Sequence, residues 1–143
     1  MIKRFKGVTI AVKDLDAAIK KYEDVLGVKH QVLEPDFFAF PGHKGAFFLI
    51  GDVQISLVTS EQPESSVARF LETRGEGVFL ISLEVHDAEQ ARKELLEKGV
   101  KLVGDRPQAF SGGKVNFAHP KSMHGVQVEF PQFERGIMFT EQS

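Results

Sequence analysis

Residues 7–12 alternate, with Val8, Ile10 and Val12 on one side and Gly7, Thr9 and Ala11 on the other, the period of a half-buried strand. A helical stripe follows in Leu15, Ala18, Ile19, Tyr22 and Leu26, which Asp14 or Asp16 can cap and Gly27 can stop. Further along, residues 79–85 read as a strand. Asp87 with Gln90 then makes a capping box, and Ala88, Ala91, Leu95 and Leu96 form a second stripe ended by Gly99. Three more strands are predicted after each helix, at about 31–40, 45–50 and 53–59, then about 101–104, 114–118 and 126–130. Residues 65–73 predict a short helix around Val67, Phe70 and Leu71.

The two halves repeat. Ala11-Val12-Lys13-Asp14 and Glu84-Val85-His86-Asp87 each close a strand and open a helix, and they stand 73 residues apart (84 − 11). The same spacing lays residues 51–57 on residues 124–130. A duplication of one unit explains both matches, and its period is longer than that of stacked solenoid repeats. The expected fold class is α+β: two βαβββ modules in one domain, forming a cup-shaped mixed sheet with helices on one face and a ligand on the other. The expected domain covers 1–131, with module one at about 5–60, a linker at 60–76 and module two at about 77–131. Residues 132–143 are expected to be a tail, and residues 131–143 carry little intrinsic structure.

Composition narrows the function classes. A formal net charge of −2 gives no footprint for nucleic acid, and the cluster Lys3, Arg4 and Lys6 reads as a solvated start. No apolar run reaches the roughly 20 residues of a membrane span. The apolar stretch after the basic start is too short for a secretory segment, so a cytoplasmic protein is expected. Without cysteine there is no disulfide, thiol nucleophile or thiolate metal site. The 13 Phe are unusual beside one Tyr and no Trp. Phe37, Phe38, Phe40, Phe47 and Phe48 are too many for one face of a short stretch, and a cavity or dimer contact is expected to take some of them.

The strings VTIAVKDLDAAI (8–19), YEDVLG (22–27), VARFLETRGEG (67–77), GGKV (112–115) and HPKS (119–122) occur in the right order. They resemble the vicinal-oxygen-chelate (glyoxalase-like) superfamily, and within it methylmalonyl-CoA epimerase-like proteins, over about residues 5–131. That resemblance implies a metal in the cup, held by residues at the start of each module's first strand and on each module's last strand. The repeat puts those positions at Gly7 and Leu80, and at Ser56 and Glu129. The epimerase type carries His at the first pair, Gln or Glu at the third position and Glu at the fourth. Gly and Leu offer no ligand atom and Ser a poor one, so only Glu129 remains and no metal or other cofactor is expected. Histidine restored at 7 and 80, with Gln at 56, is the expected route back to metal affinity. The region near Phe40, where the epimerases carry a second acid/base carboxylate, reads as apolar.

His30, His43, His86, His119 and His124 miss the ligand positions, although His43 could bend over the cup and join Glu129. Gly112-Gly113-Lys114 lacks the Walker pattern, and no G-x-S-x-G elbow exists. Strand alternation gives the cup a modest polar set: Thr9, Ser56, Ser82, Asn116 and Glu129, among Phe40, Leu80 and other apolar groups. Lys114, Lys121 and Ser122 match the epimerase pattern in rim loops and are expected to hold a ligand's carboxylate or phosphate, including that of an acyl-CoA. Three functions follow. The first is metal-free binding of an apolar or aromatic small molecule, and the second a metal-independent isomerase or lyase with Glu129 as acid/base. The third is a methylmalonyl-CoA epimerase-like enzyme. A homodimer is expected, with Phe133, Ile137, Met138 and Phe139 of the tail contributing.

Overall fold

The computed structural model describes residues 1–134. The first strand is longer than the alternation suggested: β1 runs Ile2–Ala11. Asp14 then accepts from the Ala17 amide to cap α1 (Leu15–Leu26), and Gly27 ends that helix with φ 68° and its amide on the Glu23 carbonyl. β2 is short, Gln31–Leu33. Pro35 fixes the backbone of a 3-10 turn at Pro35–Phe37, so the strand expected over 31–40 stops after three residues. The hairpin β3 (His43–Ile50) and β4 (Val53–Ser60) completes the first module. α2 (Ser66–Arg74) is capped by Ser65 and leads into the second copy.

β5 (Gly77–Val85) and α3 (Ala88–Glu97) follow, with the Asp87 carboxylate accepting from the Gln90 amide. The strand expected at 101–104 is absent: Leu102 makes a single bridge to Ala118, and Gly104 (φ 72°) turns the chain toward Pro107. The edge strand is instead β6 (Gln108–Phe110), beside β7 (Gly113–Ala118) and β8 (Val128–Phe133). β8 takes Gln132 and Phe133 out of the expected tail, and Gln132 accepts from the Ala88 amide at the start of α3. Ile137, Met138 and Phe139 lie outside the described residues. Among the described residues no helix is long and apolar enough to cross a membrane.

The eight strands among the described residues form one sheet in the order β2-β3-β4-β1-β5-β8-β7-β6. The order is symmetric about the antiparallel β1–β5 pair, and each of those strands pairs in parallel with its own module's last strand. This is the duplication in three dimensions: an α+β fold with a curled mixed sheet. α1 packs Leu15, Ile19 and Tyr22 on Phe48, Leu57 and Val12, and α3 packs Ala91 and Leu95 on Val85, Val128 and Phe130. Phe47 and Phe48 point to opposite faces, Phe48 into the α1 core and Phe47 toward Leu33, Phe37 and Phe38. The two ends of the sheet meet. Ser111 N–H donates to the Asp36 carbonyl at 3.0 Å, and Phe37 stands edge-on to Phe110 at 5.1 Å and stacks on Phe133 at 6.4 Å.

Candidate functional site

The curl encloses a cavity of about 620 Å³ whose lining includes Phe37, Phe38, Phe40 and Phe79, and across from them Phe110, Phe117 and Phe133. The surplus of Phe is therefore spent mainly on this cavity. Its polar side chains divide by element. Lys6, Thr9, Gln54, Ser56, Ser82 and Glu129 come from the four central strands, while His43, Glu64, Arg69 and His119 come from strand ends, loops and α2.

Register sets the central group. Thr9 pairs with Ser56 across β1 and β4, and Ser82 with Glu129 across β5 and β8, so the repeat is kept residue by residue. Gln54, Gly7, Ser82 and Glu129 form one row across four strands, with Phe117 next to Glu129. Burial pushes the Glu129 carboxyl up to about 7, and the Ser82 hydroxyl beside it pulls the other way without closing a hydrogen bond of ordinary geometry. Such a carboxyl can take up or release a proton near neutral pH, or hydrogen-bond a ligand in either form.

Of the residues chosen from sequence, the structure brings together Thr9, Phe40, Ser56, Leu80, Ser82 and Glu129 at the cavity. Four others lie elsewhere. Asn116 is 1% exposed on the helix side of β7, where its Oδ1 accepts from Arg92 at 3.0 Å and its Nδ2 donates to the Ala88 carbonyl at 2.9 Å. Lys114 shares that side and reaches Glu89 at 3.5 Å. Strand alternation explains both: Val115 and Phe117 face the cavity, so 114 and 116 cannot. Lys121 and Ser122 sit in the 3-10 turn Pro120–Met123, outside the cavity lining, and the Ser122 hydroxyl accepts from the Lys101 amide at 2.8 Å.

Sequence reasoning missed Lys6, Gln54, Glu64, Arg69, His119 and Gln127 at the cavity. Gln54 was available from alternation with Ser56. Lys6 was not, because β1 bulges there: Phe5 pairs with Leu83 and Gly7 with the next residue, Ser82. His43 does line the cavity, stacked on Phe38 at 5.3 Å with Nδ1 at 3.0 Å from the Phe40 carbonyl.

The donor set does not fit the family's metal. Leu80 is an apolar lining group, Ser56 Oγ already accepts from Gln54 Nε2 at 2.9 Å, and among the described residues no three His, Cys, Asp or Glu cluster. Gly7 goes further than lacking a ligand atom. A Cβ on it would lie 1.7 Å from the Gln54 carbonyl oxygen, with φ at 155°, so histidine cannot simply be restored there. The expected route back to a metal site is closed by the backbone itself.

Residues 7–117 match the Glyoxalase/Bleomycin resistance protein/Dioxygenase superfamily. An ethylmalonyl-CoA/methylmalonyl-CoA epimerase of Cereibacter sphaeroides is 36% identical over 135 residues, covering 92% of this chain and 99% of that protein. The Mycobacterium tuberculosis methylmalonyl-CoA epimerase structure superposes with a TM-score of 0.81 at 30% identity, over 93% of this chain and 89% of that one. A Streptomyces coelicolor methylmalonyl-CoA epimerase in complex with 2-nitronate-propionyl-CoA gives 0.82 at 27% identity, over 93% and 99%. By sequence and by fold, this chain belongs to the glyoxalase/bleomycin-resistance/dioxygenase (vicinal-oxygen-chelate) superfamily and is similar to its methylmalonyl-CoA epimerases.

Proposed function

We propose that this chain binds an apolar or aromatic small molecule in its cup without a divalent metal. The observation that carries the reading is the pairing of a Phe-lined cavity with family ligand positions that read Gly7, Leu80, Ser56 and Glu129. A mostly aromatic pocket with a few placed polar groups is built to bury a small ligand and orient it by one end. Thr9, Ser56, Ser82 and Glu129 supply that end, and Phe40, packed on Phe117 at 5.6 Å, belongs to the aromatic wall.

A second reading is favoured by one observation, the Glu129 carboxyl held near 7. A base of that strength beside a carbonyl compound supports metal-independent isomerisation or elimination, with the proton moving between carbon and the Glu129 carboxylate. The relatives' own substrate, methylmalonyl-CoA, is the natural probe for that reading and for epimerase activity.

The test is native mass spectrometry of the purified protein, followed by incubation with methylmalonyl-CoA in deuterated water. The expected result is a retained or added apolar small molecule and no deuterium at the substrate's acidic carbon. Deuterium uptake that survives chelation moves the conclusion to the second reading. Uptake lost on chelation and restored by cobalt overturns metal-free binding. A cytoplasmic homodimer belongs to the same proposal, since the end strands β2 and β6 meet only through the turns and rings beside them and keep backbone edges to cover. Light scattering that gives one chain's mass at high micromolar concentration removes it.

A further inference from the structure

Lys6 carries its amino group into the interior: it is 2% exposed and lines the cavity. The bulge of β1 puts it there. Phe5 and Gly7 pair with the consecutive residues Leu83 and Ser82, so Lys6 is the extra residue and its side chain is re-aimed. Its ammonium stands 5.3 Å from the ring centroid of Phe133, another cavity residue. Burial opposes that charge, while Glu84 and Asp52 favour it against the nearby Arg4. Beside the bulge, Gln54 is 9% exposed and also lines the cavity; its Nε2 donates to Ser56, and among the described residues nothing donates to its Oε1. Lys6 thus precedes Gly7, at the middle of the row Gln54–Gly7–Ser82–Glu129, and its ammonium lies toward Phe133, four residues beyond Glu129 on β8.

We infer that the Lys6 ammonium is the positive pole of the cup, and that the ligand is a small acid with an apolar or aromatic body and one anionic oxygen group. The inference rests on the metal-free binding reading and adds the class of ligand. A hydrogen bond from an ammonium to a carboxylate is of the strong, charge-assisted kind. The aromatic walls exclude water and leave that attraction little screened. Glu129, with its carboxyl near 7, does not repel an acid as an ordinary carboxylate would, because in its protonated form it donates a hydrogen bond to it. Gln54 Oε1 remains to accept from a hydroxyl on the same ligand.

Two fluorescent probes with the same rings separate the possibilities: 8-anilinonaphthalene-1-sulfonate, which is anionic, and N-phenyl-1-naphthylamine, which is neutral. The folded wild-type protein is expected to bind the anion at one per chain, about tenfold or more tighter than the neutral probe. Lys6→Met should remove that preference, while Lys6→Arg should keep it. Benzoate should displace the bound anion from the wild type at lower concentration than benzamide, a comparison that needs no variant to fold. Equal displacement by the two, or undiminished anion preference in a folded Lys6→Met, overturns the role of Lys6 and leaves the cup a neutral-ligand site. Failure of the wild type to bind either probe overturns the binding reading and this inference with it.

Discussion

Glu129 ionises against the burial that holds its carboxyl near 7, and this gives stability a pH dependence of definite sign. Below the ordinary value of 4.5 the group is protonated in both folded and unfolded chains and contributes nothing. As pH rises from there toward 7 the unfolded chain ionises first, so the penalty on the fold grows, and above 7 it is constant. Glu129→Gln should therefore match the wild type at about pH 4 and exceed it by about 2–3 kcal/mol at about pH 8 in urea unfolding. A difference that stays flat with pH would remove the buried acid. Gly7 is the opposite kind of residue, significant for what it excludes. Gly7→Ala should cost about 2 kcal/mol or more, because its Cβ meets the Gln54 carbonyl oxygen and the φ of 155° suits glycine. The sequence puts Gly at position 7, where the resemblance implies a metal ligand, and it singled out Glu129 and Ser56, which the structure places at the cavity. It did not show that Lys6 faces inward, because strict alternation breaks at a bulge, and the one local mark of that bulge, the isolated Gly7 within the strand, does not say which neighbour is re-aimed.

At the scale of elements, the helices were legible because their signals are local. Asp14, Gly27 and Asp87 act within a turn of where they stand: Asp14 rather than Asp16 caps α1, Gly27 ends it, and Asp87 accepts from the Gln90 amide. The strands that went astray depend on distant partners. Residues 101–104 have strand-like composition, but their place at the edge of module two is taken by residues 108–110, and Arg92 holds the Gly104 carbonyl instead. Asn116 went astray with them: with β7 set one step off, its side chain enters the helix layer rather than the cup. There it joins β7 to both ends of a polar network, Arg92 and the Ala88 carbonyl, with Arg92 itself only 8% exposed. Asn116→Ala leaves the Arg92 guanidinium one acceptor short in the interior and should cost about 2–3 kcal/mol in thermal or urea unfolding. Probe binding in the cup should be unchanged in the same variant. A loss of binding without a loss of stability would put Asn116 back in the site.

Across the whole molecule, one duplication explains both what is kept and what is lost. The offset of 73 survives in the pairs Thr9–Ser56 and Ser82–Glu129, so the pseudo-twofold scaffold is intact around the β1–β5 seam. The fold was readable because it is written twice, with matching segments in matching order. The cup's closure was not, since it depends on Ser111 meeting Asp36 and on Phe37, Phe110 and Phe133 meeting across the ends of the sheet, contacts between residues far apart in sequence. The metal site needs a donor from each of several strands, and a scaffold can persist without any of them. This makes metal dependence a property of the whole cup that stability can report. An ion bound only by the folded state adds about 4 kcal/mol at a thousandfold excess over its Kd, and in a domain of this size each kcal/mol moves Tm by about 2–4 °C. Zinc, cobalt or manganese at millimolar concentration should therefore leave the melting temperature within about 2 °C of the chelated protein. A rise of about 8 °C or more with one of these ions would mean a micromolar site, and would require ligands that Gly7, Leu80 and Ser56 do not provide.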